Sequence, residues 1–376
     1  MSEPDRDLAD ALLELLAPLR PGEALEGGFV LRHASTELGL RITFEDAGEL
    51  LHVEVFPDAP DTRFAARSDR LLFAYRAGRA SSKRGEALCR LVAARARENE
   101  TRVLAALATG ARADRVRDVV ITRALEPAGT SDAPYFTLSP YVGCLIGCRF
   151  CYAQERVGLA RRMRGLVDAP WGSYVDARVN VAEVLARELA VRPRHPIKLC
   201  PVVSDPYHAI EAKRGLTRAC LEVLRDAPPR PVFVLTRAAL VARDLDLLAA
   251  IEGARLGFSL PTVDDAVRAW FEPRAASVDE RLAVLREARA KGVETFAVVQ
   301  PVLPGDTTAL ADALAEVASS VSLDVLRGEE AATALFDAHP EARDEGWQRA
   351  RVEALRAALG ARGVPCWDGE LPPDVS

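Results

Sequence analysis

"TLSPYVGCLIGCRFCYAQ", residues 137–154, sets Cys144, Cys148 and Cys151 at C-x3-C-x2-C spacing among Gly143, Gly147, Phe150 and Tyr152. The chain has 376 residues and seven cysteines, so three in one short loop is a concentration that chance placement almost never produces. An odd cysteine count without framework spacing argues against a secreted disulfide scaffold. In a reducing compartment, clustered thiols point to metal or redox chemistry. A structural zinc asks for four ligands, usually in paired knuckles, and no second knuckle or Cys/His pair follows this loop. Iron–sulfur clusters also take thiolates, and three thiolates on a four-iron cluster leave one iron open to a ligand that is not protein.

Around that loop, from about residue 117, apolar β-rich runs alternate with helical patterns. The runs are "YFTLSPYVG", "IKLCPVV", "PVFVLT", "RLGFSL", "ETFAVVQPV" and "SVSLDVL". Between them lie "NVAEVLARELAVR", "LTRACLEVLRD", "LVARDLDLLAAIE", "SVDERLAVLREARAKG" and "TALADALAEVAS". Nearly continuous apolar strands separated by amphipathic helices predict a parallel sheet covered by helices. Six strands are too few for a closed eight-fold barrel, so the expected α/β fold is a partial (β/α)6 barrel, with its chemistry at the C-terminal ends of the strands.

The front of the chain reads differently. "DLADALLELLAPL" is helical and stops at Pro21-Gly22. Four short strand-like runs follow, and a long amphipathic helix over about Gly85–Thr109 closes the region. The expected organisation is a small α+β domain with an antiparallel sheet over 1–115, the barrel over 116–345, and a C-terminal helix and irregular tail over 346–376. Residues 1–60 carry four basic and 13 acidic side chains, whereas 61–120 carry 14 basic and seven acidic. That asymmetry permits a basic face, read either as a solvated helix or as a recruiting surface for an anionic or polymeric substrate. The net charge of −6 makes no global case for nucleic acid. No apolar run approaches a membrane span and the first residues are acidic, so the expected location is the cytoplasm.

With its aromatic residue before the last cysteine, the motif resembles the signature of radical S-adenosylmethionine (radical SAM) enzymes. Over about residues 130–345 the chain is similar to the spore photoproduct lyase-like branch of that superfamily. The similarity is carried by "CRFCYAQ", "VSDPYHAIEAKRGLTRACLEVL", "FVLTRAALVARDLDLL", "GFSL" and "WFEPRAASVDERLAVLREARAKGVETFAVVQPVLPG". The resemblance implies a [4Fe–4S] cluster on Cys144, Cys148 and Cys151, whose open iron chelates SAM and whose reduction yields a 5′-deoxyadenosyl radical. It further implies an external one-electron reductant of the flavodoxin or ferredoxin type. Carried over residue by residue, Phe150 would pack near the adenine, and Tyr152 would lie beside SAM as a candidate for the hydrogen-atom relay. Ser204 and Asp205 would contact the polar groups of SAM. Arg237, where the branch usually has Lys, and Ser259 would hold its carboxylate or ribose. Gln300 would offer backbone contacts to the adenine.

Several of these residues also have plainer readings. Tyr152 can also be read as a core aromatic, Asp205-Pro206 as a turn, and Glu272-Pro273-Arg274 as a helix-entry and salt-bridge element. His208, a lone loop histidine, is expected to be solvated. The lyase places a hydrogen-donating cysteine just before its Ser-Asp, at the position of Val202. Here Cys200 lies two positions further back, on the same strand face by alternation, so it stands as hydrogen-atom donor or as a small buried hydrophobe. No counterpart of the lyase's C-terminal DNA-contacting segment is legible. The leading reading is thus a radical SAM enzyme on another substrate, ahead of photoproduct-type DNA repair and of a non-catalytic iron–sulfur protein with a redox-sensing or structural role.

Overall fold

The computed structural model describes the chain except residues 1–4, 38, 58–62, 77–81, 110–114, 167–168, 201, 327–335, 373 and 376. Two compact units result, residues 1–122 with 153–170, and residues 123–152 with 171–376.

In the first unit, strand β1 (Asp5–Arg6) precedes helix α1 (Leu8–Glu14). Asp7 caps α1 by accepting from the Ala9 amide. Strands β2 (Ala24–Leu25), β3 (Phe29–Ser35), β4 (Arg41–Asp46), β5 (Glu49–Phe56), β6 (Ala66–Arg67) and β7 (Leu72–Arg76) form an antiparallel sheet in the order β2-β3-β4-β5-β7-β6. Alternation along β5 buries Leu51, Val53 and Val55 against the long helix α2 (Ser82–Thr109), which supplies Leu88, Val92 and Ala96. Strand β8 (Val116–Val120) runs parallel to β1. Helix α3 (Ala153–Met163) completes the unit, placing Leu159, Ala160 and Met163 in the same apolar core as Leu12, Phe44 and Val92.

The arginines of α2 do not form an open basic stripe. Arg84 meets Asp46, Arg90 meets Glu86, Arg95 meets Glu98, Arg97 meets Asp69 and Arg102 meets Glu14, at 2.5–3.8 Å. Buried Glu100 serves the β6–β7 turn instead, accepting from the Ser68 hydroxyl at 2.5 Å and the Asp69 amide at 3.0 Å.

The second unit is built on an eight-stranded sheet. Its members are β9 (Leu125–Gly129), β10 (Pro134–Leu138), β13 (Ile197–Leu199), β14 (Val232–Thr236), β15 (Ala254–Ser259), β16 (Glu294–Val299), β17 (Ser320–Leu323) and β18 (Cys366–Trp367), in the order β18-β17-β16-β15-β14-β13-β10-β9. From β10 to β18 every neighbour is parallel, and only β9 is antiparallel. A separate antiparallel pair, β11 (Tyr141–Val142) and β12 (Val175–Arg178), flanks the cysteine loop. The crossovers are made by α4 (Val181–Leu189), α5 (Glu211–Arg214), α6 (Leu216–Asp226), α7 (Leu245–Ala249), α8 (Asp265–Phe271), α9 (Val278–Ala290), α10 (Thr307–Val317) and α11 (Glu345–Gly360).

Val234, Leu256 and Ala297 are buried on the face that α7, α9 and α10 cover. On the opposite, concave face Tyr135, Phe233, Phe296 and Trp367 meet Leu371 in one apolar cluster. Burial on both faces is why these strands read as continuous apolar runs. The six expected strands and the partial-barrel class are therefore present, with β9 and β18 added at the edges.

The expected segment boundaries need correction. The first unit reaches residue 122 and takes back 153–170, because the apolar face of α3 is buried in that unit's core. The expected C-terminal helix is α11, and the stretch beyond it adds a strand: β18 hydrogen-bonds to β17, and Trp367 and Leu371 pack on the concave side of the sheet. Residues 110–114, just ahead of the expected first boundary, lie outside the described residues.

Candidate functional site

The cysteine loop leaves the C-terminal end of β10, where a parallel sheet opens its backbone groups to a ligand. It is held by other segments through its backbone. The Gly143 amide donates to Val203 O at 3.1 Å, and the Arg149 amide to Phe271 O at 2.8 Å. Trp171 Nε1 donates to Cys148 O at 3.0 Å. Gly143 has φ +88°, and a Cβ there would stand 2.3 Å from Tyr174 O, so only glycine allows this approach. None of the three thiols is in a disulfide: Cys144 and Cys148 are buried and Cys151 is half-buried, beside Ile146, Phe150, Phe271 and Phe336. The rings of Phe150 and Phe271 lie 6.2 Å apart.

Burial pushes the Cys144 thiol up to about 12 and Cys148 well above the ordinary thiol value. Cys148 also feels Cys144 and Cys151, which raise it, and Arg237, which lowers it. Three thiols thus share one apolar pocket in which bare thiolates are costly and a cationic partner would offset that cost. Among the described residues, no three His, Cys, Asp or Glu side chains close around a single ion. A four-iron cluster is a larger object, held by thiolates spread around it. The donor set therefore fits such a cluster in kind and number.

Beside the thiols is a buried ionic network. Arg237, next in the chain after β14, donates from Nε to Glu272 Oε1 at 2.7 Å. Glu272 Oε2 accepts from Arg281 Nη2 at 2.5 Å, and Arg281 Nη1 donates to Ser259 O at 2.7 Å. Glu272 and Arg281 are fully buried. Burial alone would lower the pKa of Arg237, but Cys148, Glu272 and Cys151 raise it, so it is a fixed cation facing the thiols. Replacing Glu272 by Leu leaves two buried guanidinium groups without their shared carboxylate, a change that costs about 3–5 kcal/mol. The urea midpoint of Glu272→Leu should therefore fall well below that of wild type, with Glu272→Gln between them; an unchanged midpoint would show that the network is not needed for stability.

Ser259, at the end of β15, has a buried hydroxyl oxygen with no hydrogen-bond partner, on the same strand face as Gly257. Register aligns Leu235 with Gly257, so Arg237 and Ser259 lie one row beyond, nearer the cysteine loop. Cys200 is buried, follows β13 on the Lys198 face, and falls in the Leu235 row. Burial pushes its thiol up to about 11, so it stays protonated at neutral pH. Tyr152 is half-buried and lies within electrostatic reach of Tyr135. Gln300 contacts Asp324 and Val325 O at 3.4 Å, and Ser204 bonds locally to Asp205 O at 3.3 Å.

Asp205 is already engaged inside the protein. Its carboxylate accepts from the Tyr207 amide at 2.8 Å, the Thr236 hydroxyl at 2.7 Å and the Arg237 amide at 2.8 Å. It closes the turn after β13 and ties that turn to the end of β14, while burial raises its pKa against those three donors. The expectation of a solvated His208 is overturned. His208 is 1% exposed and edge-on to Tyr141 at 4.7 Å, and burial holds it neutral with a pKa of about 3. The buried roles of Arg281 and Trp171 were not legible in the sequence, whereas the salt-bridge reading of Glu272-Pro273-Arg274 matches the ion pairs of Glu272 with Arg237 and Arg281.

Residues 138–317 match the sequence model of the Radical SAM superfamily. The chain carries a radical SAM domain. A protein of Methanocaldococcus jannaschii is 24% identical over 190 residues, covering 50% of this chain and 68% of its own. A Mycobacterium tuberculosis protein is 30% identical over 228 residues, covering 56% and 61%. A radical SAM Nalpha-GlyT isomerase of Pseudomonas phage M6 is 28% identical over 172 residues, covering 45% of this chain but 33% of the isomerase. Among solved structures, a mutant of spore photoproduct lyase is similar with a TM-score of 0.50 at 17% identity, covering 71% of this chain and 85% of the lyase. That likeness establishes a shared fold.

Proposed function

We propose that this chain is an enzyme that holds a [4Fe–4S] cluster on Cys144, Cys148 and Cys151, binds SAM against it, and acts on a substrate at the C-terminal ends of the parallel strands. When bound, the cluster supplies the electron that cleaves SAM to a 5′-deoxyadenosyl radical able to abstract hydrogen. The observation that carries the reading is the convergence of three thiols, the fixed Arg237 cation and the unpartnered Ser259 hydroxyl at the C-terminal ends of the parallel strands.

The chain's own groups suit that task. Arg237 offers a cation to a carboxylate, and Ser259 Oγ can take up a polar group that would otherwise leave it unpaired. Phe150, with Arg237 5.7 Å from its ring, provides an apolar wall for a flat base. Gln300 follows the C-terminal end of β16, and Asp205 acts by fixing the Arg237 backbone. The Phe233, Phe296 and Trp367 cluster keeps water from the interior. Tyr152 and Cys200 stand in this reading as hydrogen-atom carriers. Electrons would come from an external flavodoxin- or ferredoxin-type protein in the cytoplasm. Among the described residues no helix is long and apolar enough to cross a membrane. An anionic or polymeric substrate draws no support from the α2 arginines, which already face carboxylates.

The test is anaerobic reconstitution followed by dithionite reduction with SAM, reading 5′-deoxyadenosine by chromatography. Arg237→Ala should weaken SAM binding by about 1.5–3 kcal/mol, the usual value for a hydrogen bond to a charged group, with Arg237→Lys closer to wild type. Stoichiometric zinc with no 5′-deoxyadenosine would refute the proposal.

A further inference from the structure

Between Cys144 and Cys148 the chain has only Leu145, Ile146 and Gly147, and the shape of this span sets where the first two thiols point. Arg274 reaches the span from beyond α8. Its Nε donates to Leu145 O, and its Nη2 donates to Gly172 O at 2.7 Å. The guanidinium occupies space that two side chains would otherwise take. A Cβ on Gly147 would lie 2.5 Å from Nη2, and one on Gly172 would lie 2.1 Å from it. The two glycines also abut, since either added Cβ would come within 3.1–3.2 Å of the other's Cα. Their φ values, +70° and +86°, belong to the left-handed region.

Arg274 is itself braced. It sits two residues after Glu272, whose carboxylate is locked between Arg237 and Arg281. One short run, Glu272-Pro273-Arg274, therefore holds the cation that faces the thiols and also grips the backbone between two of them. Trp171 and Phe271 hold the Cys148 end separately.

We propose that Arg274 is the positioning residue of the cluster loop: its planar fork, seated in a notch made by Gly147 and Gly172, fixes the Cys144–Cys148 span so that both thiolates meet a cluster together. The proposal rests on the function proposed above. A lysine cannot replace it fully, because one ammonium lacks the fork that reaches two carbonyls in fixed directions.

The experiment uses the full chain, reconstituted anaerobically, with two readouts: the rate of iron release to a ferrous chelator, and the electron paramagnetic resonance spectrum of the reduced cluster. Arg274→Ala should release iron about tenfold faster or more, given the usual strength of charge-assisted hydrogen bonds. Its spectrum should broaden as the ligand geometry becomes heterogeneous, and Arg274→Lys should recover part of both effects. Gly172→Ala should also speed iron release, by evicting the guanidinium and by straining a left-handed backbone position, so its effect should shrink without vanishing in the Arg274→Ala background. Wild-type release and spectrum in Arg274→Ala would overturn the proposal, as would a Gly172→Ala effect that is undiminished in that background. If wild type itself binds no cluster, the function proposal fails instead, so the two failures are distinguishable.

Discussion

Replacing Cys144, Cys148 and Cys151 together by alanine is expected to take the reconstituted protein from about four irons and four sulfides to none. Production of 5′-deoxyadenosine should vanish with them. The effect should be all or none because these thiols are the donors gathered at the strand ends, in a pocket otherwise lined by Ile146, Phe150, Phe271 and Phe336. The remaining cysteines provide the control. Cys89 and Cys220 are fully buried as small hydrophobes, and burial pushes the Cys89 thiol up to about 12. Cys366 belongs to the edge strand β18. Alanine at these three positions should leave the iron content unchanged. Iron and sulfide assays with chromatography of the reduced reaction decide the matter; a triple variant at the loop that keeps its iron would show that the metal sits elsewhere.

Deleting residues 1–115 is expected to destroy cluster binding, not merely to slow turnover. The charge pattern left a recruiting surface as one reading of this region, a role whose loss would spare cluster assembly. The packing argues otherwise. Helix α3 begins two residues after Cys151, and its Leu159, Ala160 and Met163 are buried in the core of the first unit. Without that unit the helix would expose its apolar face, and the chain immediately after the third thiol would lose its support. Each large-to-small change in such a core costs about 2–5 kcal/mol, and deletion removes every partner at once. The truncated chain should be insoluble or, if recovered, free of iron. A milder version keeps the full chain: Leu159→Ala with Met163→Ala should lower the unfolding midpoint and speed iron loss together. A soluble truncated protein with full iron content would return the front unit to the recruiting role.

The cluster loop was legible because its chemistry is local. Three cysteines at C-x3-C-x2-C need no tertiary context to mark a thiolate site, and a following repeat of apolar strands and amphipathic helices declares a parallel sheet by periodicity. The antiparallel sheet of the front region announced itself in the same way, through the alternation of Leu51, Val53 and Val55. Strands β8, β9, β12 and β18 were missed. Their pairing comes from neighbours far along the chain, such as β17 for β18.

Sequence by itself determined where three thiols gather in the chain and that parallel strands alternate with helices, because each follows from spacing between near neighbours. Tertiary structure alone decided that α3 is packed with the front unit, that Asp205 is engaged by Tyr207, Thr236 and Arg237, and that His208 is buried and neutral. It also decided that Glu272 joins Arg237 to Arg281, and that Arg274 fills the space two glycines leave beside the cluster loop. The physical reason is common to all of these: a buried charge or polar group is governed by the partner that satisfies it, and that partner is chosen by the fold across long stretches of chain.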